Sequence, residues 1–341
     1  MEQLQPSDRI SITIFDERVE SLVPSQQAQD KAAIFAQIHR IQPRGSTALH
    51  DGWVAGGVQV SGHLNHEHLN RIVLLSDGLA NVGVTNPDEI ANHVHGLSQR
   101  GVSTTAIGVG DDYDENLLEA IARSGDGNFY HIESPRQLPV IFESELLGLM
   151  ATLGQKVSLG IEPLGEVRVS DVLNDLDRNT YGRYQLTNLI VGCPIEVVVR
   201  LHIPALTQSI ALCHFRLAWN DPEQQERQVL RATLRLPVVS AAQLEEFSLN
   251  PEVQQASALL MAAHARQEAV RQIDLGDYTK AKSSLQNARN QILACPPSSV
   301  TEKEAELLQI LEADLDQGDF KKSRKKALYE SYSRTRSRPH Q

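Results

Sequence analysis

An apolar run, Ile72 to Leu75, ends at Ser76 and a carboxylate, Asp77, set on a glycine turn at Gly78. A strand that stops this way presents an acid at a sheet edge. A second oxygen donor comes earlier, where Gly45-Ser46-Thr47 lies just ahead of the helix pattern that leads into this strand. The loop Gly110–Asn116 carries Asp111, Asp112 and Asp114 after the next strand pattern. Loops at the carboxyl ends of parallel strands form the ligand-binding rim of an open α/β sheet. Hydroxyl and carboxylate oxygens there suit Mg²⁺, Mn²⁺ or Ca²⁺ rather than zinc. Thr47 and Asp77 are therefore the candidate metal ligands. Each also has a plainer role, since Asp-Gly is a common turn pair and Thr47 is placed to cap a helix starting at Ala48.

Asp111, Asp112 and Asp114 read as helix caps, because Asp112 and Glu115 have capping-box spacing ahead of Leu117. His50 and His131 have no second histidine or carboxylate at ligand spacing, so both are assigned structural roles. His63, His66 and His68 fall in a polar loop and read as solvated. A catalytic set is not recognisable: there is no G-x-S-x-G and no H-E-x-x-H, and Gly108-Val-Gly110 lacks the third glycine of a dinucleotide turn. The chain is expected not to be an enzyme.

The elements that must position Thr47 and Asp77 alternate strand and helix. Arg9–Phe15 puts Ile10, Ile12 and Ile14 on one face, and a helix follows near Asp30 with Ile34, Ile38 and Ile41 at helical spacing. Further strands are predicted at 71–76, 102–110 and 128–132. Helices are predicted from Ala48 to Val60, from Asn86 (N-cap, then Pro87), around Leu117 to Ile121, and from Pro135 to Leu153. Repeated β-α units give a doubly wound, mainly parallel, Rossmann-like α/β domain over residues 1–154. Residues 155–240 are punctuated Val-, Ile-, Leu- and Thr-rich segments, read as an antiparallel β-sandwich. Residues 241–318 return to helical spacing on either side of Gly276-Asp277, a helical hairpin region, and 319–341 are read as a basic, disordered tail.

The chain has 341 residues and a net charge of -11, which argues against nucleic-acid binding by the folded body and leaves only the basic tail as a candidate for it. Three widely spaced cysteines, Cys193, Cys213 and Cys295, read as free buried thiols rather than a disulfide or zinc framework. No apolar run reaches the ~18 residues of a membrane span, and Met1–Arg9 has no signal-peptide core. A cytoplasmic protein that does not enter membranes is expected.

The segments Pro43–Gly52, Arg71–Gly83, Val102–Gly110 and Gly127–Ile132 together resemble the von Willebrand factor type A domain in the form found in bacterial cytosolic proteins. The resemblance covers about residues 5 to 154. It implies a divalent cation at a metal-ion-dependent adhesion site on the sheet rim. The ligands would be a DxSxS motif after the first strand, a threonine matched by Thr47, and an aspartate matched by Asp77. A protein partner would supply an acidic group to the ion. The DxSxS motif and the family's first strand have no counterpart here. That strand would sit between 9–15 and 71–76, and its loss would leave backbone groups unpaired at ~1–3 kcal/mol each against a domain stability of only ~5–15 kcal/mol. The expectation is a truncated chain rather than a minimal variant. Its site for Mg²⁺, Mn²⁺ or Ca²⁺ would be weak or absent. The function implied is a metal-dependent protein–protein interaction module, with a metal-free scaffold, or less so a metal-assisted hydrolase, as alternatives.

Overall fold

The computed structural model describes residues 4–42, 45–65, 68–222, 226–240, 243 and 247–337. The chain divides into two compact units, Met1–Ala151 and Thr152–Gln341.

The first unit opens with β1 (Arg9–Phe15) and β2 (Val19–Gln27), an antiparallel pair that forms its own two-stranded sheet. The sequence pattern missed β2. Its polar residues and Pro24 mask a strand whose Val23 is fully buried, and a proline is tolerated there because β2 is an edge. Next come α1 (Lys31–Ile38), capped by the Asp30 carboxylate, and α2 (Leu49–Ser61). Then β3 (Asn70–Ser76), α3 (Pro87–Gln99), β4 (Val102–Val109), α4 (Glu115–Ser124) and β5 (Asp126–Ile132) build a parallel sheet in the order β3-β4-β5. A 3-10 turn (Pro135–Gln137) leads into α5 (Leu138–Met150), which stops where the next strand begins at Thr152.

The parallel sheet is not buried uniformly. β4 has neighbours on both sides and is almost wholly buried, whereas β3 buries only alternate residues, Ile72, Leu74 and Ser76. None of the isoleucines of β1 is fully buried, although they share one face as expected. α2 packs on β1, β2 and β3, and its Trp53 indole N–H donates to Thr104 Oγ1 of β4 at 3.2 Å. One helix thus joins two sheets that share no ladder among the described residues.

In the second unit, β6 (Thr152–Pro163), β8 (Tyr184–Gln185), β11 (Ala211–Asn220) and β12 (Arg227–Arg235) form an antiparallel sheet in the order β12-β11-β6-β8, and β9 (Leu189–Ile190) also pairs with β6. β7 (Arg168–Val172) and β10 (Val199–His202) make a separate antiparallel pair. Among the described residues, the helices α6 (Pro251–Asp274), α7 (Tyr278–Leu293), α8 (Ser299–Gln317) and α9 (Phe320–Thr335) follow. Leu259, Ile273, Leu285, Ile292, Leu308, Leu311 and Leu328 give them a shared apolar core.

The segment read as a disordered tail is therefore helical as far as Thr335. Its basic residues are matched by acids elsewhere in this unit: Arg324 with Asp274 at 2.7 Å, Lys326 with Asp314 at 3.8 Å and Arg336 with Asp177 at 3.1 Å. Composition suggested disorder because these acids are remote in sequence. All three cysteines are free, but only Cys213 is buried, and Cys193 is exposed.

Candidate functional site

The loops of Thr47 and Asp77 meet at the carboxyl end of β3. The Thr47 backbone N–H donates to Asn81 Oδ1 at 2.8 Å, and the Thr47 carbonyl accepts from the N–H groups of Asn81 (3.1 Å) and Val82 (3.4 Å). A Cβ placed on Gly78 would stand 3.2 Å from Thr47 Oγ1, so the hydroxyl lies directly over the glycine that follows Asp77. Asp77 itself is exposed, and Thr47 is half-buried. The turn after β3 is held by the Ser76 hydroxyl, which donates to the Gly78 carbonyl at 2.9 Å.

Thr47 does not cap α2. The N-cap is Ala48, without a side-chain hydrogen bond, and its N–H donates to the Asp16 carbonyl at the end of β1 at 2.6 Å. The rim therefore gathers three loops, those after β1, before α2 and after β3. Asp16 was not singled out from sequence. It is buried, and its carboxylate accepts from the Arg18 N–H at 2.6 Å within the β1–β2 turn.

The loop after β4 contributes a cap, from one of the three aspartates read that way. Asp114, not Asp112, is the N-cap of α4, and its carboxylate accepts from the N–H groups of Asn116 and Leu117. In the same loop Tyr113 is buried and its hydroxyl is 2.7 Å from His131 Nδ1. Burial, with Glu115 and Asp111 nearby, pushes the phenol well above its ordinary range. His50, assigned no ligand-spaced partner, has one in space: its Nε2 lies 2.9 Å from His93 Nδ1, and its Nδ1 lies 3.3 Å from Asp51 Oδ1. Forty-three positions separate the two histidines, so no spacing rule could show the pair. His63 and His68 are among the described residues, and His66 lies outside them.

Behind the rim, Glu145 of α5 is buried and accepts four hydrogen bonds. They come from Arg71 Nη1 of β3 (2.6 Å), Thr105 Oγ1 of β4 (2.9 Å), and Asn128 Nδ2 and Tyr130 OH (2.7 Å) of β5. Burial alone would raise its pKa, but Arg71 and the three neutral donors outweigh it and hold the carboxyl below its ordinary value. One side chain thus ties all three parallel strands to a helix.

The α/β alternation of the first unit agrees with what comparison with known proteins finds. The sequence model described as von Willebrand factor type A domain matches residues 1–144. Residues 1–144 form a von Willebrand factor type A domain. A von Willebrand factor type A protein from Catenulispora acidiphila has the same fold over 90% of this chain and 74% of its own, with a TM-score of 0.69 at 16% identity. The ArnB paralog VWA2 from Sulfolobus acidocaldarius aligns over 97% of this chain and 79% of its own, with a TM-score of 0.55 at 17% identity. Both likenesses extend past the type A domain and concern fold alone. Among sequence relatives, the uncharacterized protein sll0103 of Synechocystis sp. is 25% identical over 95% of this chain and 80% of its own length. The uncharacterized protein YfbK of Escherichia coli is 26% identical over 74% of this chain, which spans 46% of that protein.

Tested against the cation that such a domain would hold, the donors of this type A domain fall short. Mg²⁺ takes about six oxygens in near-octahedral geometry. Thr47 and Asp77 supply two, and among the described residues no group of three or more His, Cys, Asp or Glu side chains is placed to hold a metal. The residues present do not by themselves fit a closed Mg²⁺ site.

Proposed function

We propose that this chain is a protein-interaction module whose contact surface is the rim of its type A domain, with Thr47 and Asp77 at the centre. The observation that carries this is the clasp of the Thr47 backbone on Asn81 and Val82, which holds the loop of Thr47 against the loop of Asp77. In its finer form the reading is metal-dependent: Thr47 and Asp77 are the protein ligands of a loosely held Mg²⁺, Mn²⁺ or Ca²⁺, and the partner's acidic side chain adds a further oxygen. The antiparallel sheets of the second unit, packed as a sandwich, and its helices serve as platform. No turnover is part of this reading. Among the described residues no helix is long and apolar enough to cross a membrane, which accords with partners met away from a bilayer core.

Isothermal titration of the intact chain with Mn²⁺ and Mg²⁺ tests the finer form. Weak binding that both Thr47→Ala and Asp77→Ala abolish supports it. Binding unchanged in the two variants sinks the ligand assignment, and the metal-free scaffold then replaces it. A panel of hydrolase substrates run with and without Mg²⁺ tests the absence of turnover, which metal-stimulated activity lost in Asp77→Ala would overturn.

A further inference from the structure

The second unit carries a concentration of positive charge that the rim does not use. Across the sheet, Arg231 of β12 is registered with Arg216 of β11, and Arg216 is registered with Gly160 of β6. A Cβ on Gly160 would lie 3.7 Å from Arg216 Cβ and 3.9 Å from Arg183 Cγ, so both arginine side chains lie over the bare glycine. Arg227, four residues before Arg231 on the same strand face, extends the row and anchors itself on Asn220 Oδ1 (2.7 Å) and Ser158 Oγ (2.9 Å). Glu162 is an acid near Arg216 in this group. In a chain of net charge -11, four guanidinium groups on one sheet face form a strong local exception.

Arg216 is the informative member. It sits on an inner strand, and its Nη1 is buried without an acceptor among the described residues. Burial, followed by the repulsion of Arg183, Arg231 and Arg227, pulls its pKa below the ordinary arginine value. Charges on a sheet edge have a plain use in discouraging strand-to-strand aggregation, and that accounts for Arg227, Arg231 and Arg235 on β12. It does not account for a crowded, under-satisfied arginine one strand further in. Beside it, β12 is a nine-residue edge strand with β11 as its one partner among the described residues, and it is exposed on both faces, Leu230 by 60%.

We propose that the edge of β12, with Arg227 and Arg231 along it and Arg216 one strand behind, forms a docking site for an extended acidic segment of a partner protein. The segment's backbone adds a strand to β12, and its alternate carboxylates lie over the guanidinium groups. Strand addition supplies the backbone bonds, and bidentate arginine–carboxylate contacts supply the selectivity. Nucleic-acid phosphate also matches arginine, but the net negative charge of the rest of the chain disfavours a polyanion that spreads beyond the row.

Fluorescence anisotropy of the full chain with a labelled peptide of alternating Glu and Val tests this. The expected result is saturable binding that persists in a chelator, which separates this site from the metal-dependent rim. Arg216→Gln combined with Arg231→Gln should weaken it about tenfold or more, with the fold checked by circular dichroism. Arg216→Lys should weaken it less, and backbone N-methylation of the peptide should abolish it. Binding that is unchanged in the double variant, equal for the N-methylated peptide, or tighter for an oligonucleotide of the same charge overturns the proposal.

Discussion

Glu145 and Glu304 are both buried carboxylates, one in each unit, and they are satisfied differently. Glu145 meets one arginine and three neutral donors from three neighbouring strands. Glu304 of α8 meets Arg266 of α6 at 2.7 Å and Arg334 of α9 at 3.7 Å, while Arg266, fully buried, leaves Nε and Nη2 without acceptors among the described residues. The first is a closed network on a single sheet. The second is a charge cluster that holds a basic helix against its neighbours and is only part-satisfied. A buried ion pair is costly to break from one side, yet two well-packed apolar residues often replace it at no loss. The contrast is between an acid whose geometry ties three parallel strands to α5 and one whose charge mainly keeps α9 in place.

The largest expected effect is at Glu145. Glu145→Ala leaves Arg71 with Ser103 Oγ but without its carboxylate and unties α5, at a cost of about 3–5 kcal/mol in urea unfolding. A loss under about 1 kcal/mol would mean that the network is incidental. In the other cluster, Arg266→Met alone should cost roughly 3 kcal/mol by leaving Glu304 with only the longer Arg334 contact. Arg266→Met with Glu304→Leu should recover most of that loss or more. If the double variant is as unstable as the single, the two clusters are alike and the comparison breaks.

Acid should separate them further. The Glu145 carboxyl is held below its ordinary value of 4.5, so its stabilisation is fully present above that pH and is lost as pH falls through the depressed folded value. The wild-type chain should show a stability loss in acid, below the ordinary glutamate range, that Glu145→Gln largely removes when unfolding is followed at stepped pH. An acid limb of unchanged steepness in Glu145→Gln would assign the loss to other groups.

The two networks also show where sequence reading stops. The strand under Asp77 and the glycine turn that follows it were legible because apolar runs and glycine turns act over a few residues. So were the helix near Asp30 and α3 with its Asn86 cap, whereas the capping role of Asp30 itself came from the structure. Glu145 was not, since its four donors lie 15 to 74 positions away and no periodicity marks them. Long-range pairing also hid the His50–His93 contact and the order of the basic helix. β2 escaped for a different reason, as a polar edge strand carrying Pro24 gives no alternation to read. The arginine row escaped because it exists only once β6, β8, β11 and β12 are in register.

The smallest effect on stability should belong to Thr47, which makes it the sharpest probe of function. The hydrogen bonds that clasp it to Asn81 and Val82 all use its backbone, and its hydroxyl makes none among the described residues. Thr47→Ala keeps those bonds, so stability should move by no more than about 0.5 kcal/mol. Glu145→Ala and Thr47→Ala should both weaken whatever binds at the rim, the first by loosening the sheet beneath it and the second by deleting one oxygen from an intact one. A Thr47→Ala chain with unchanged melting and unchanged ligand binding would leave Asp77 as an ordinary turn acid and remove the rim from the interaction surface.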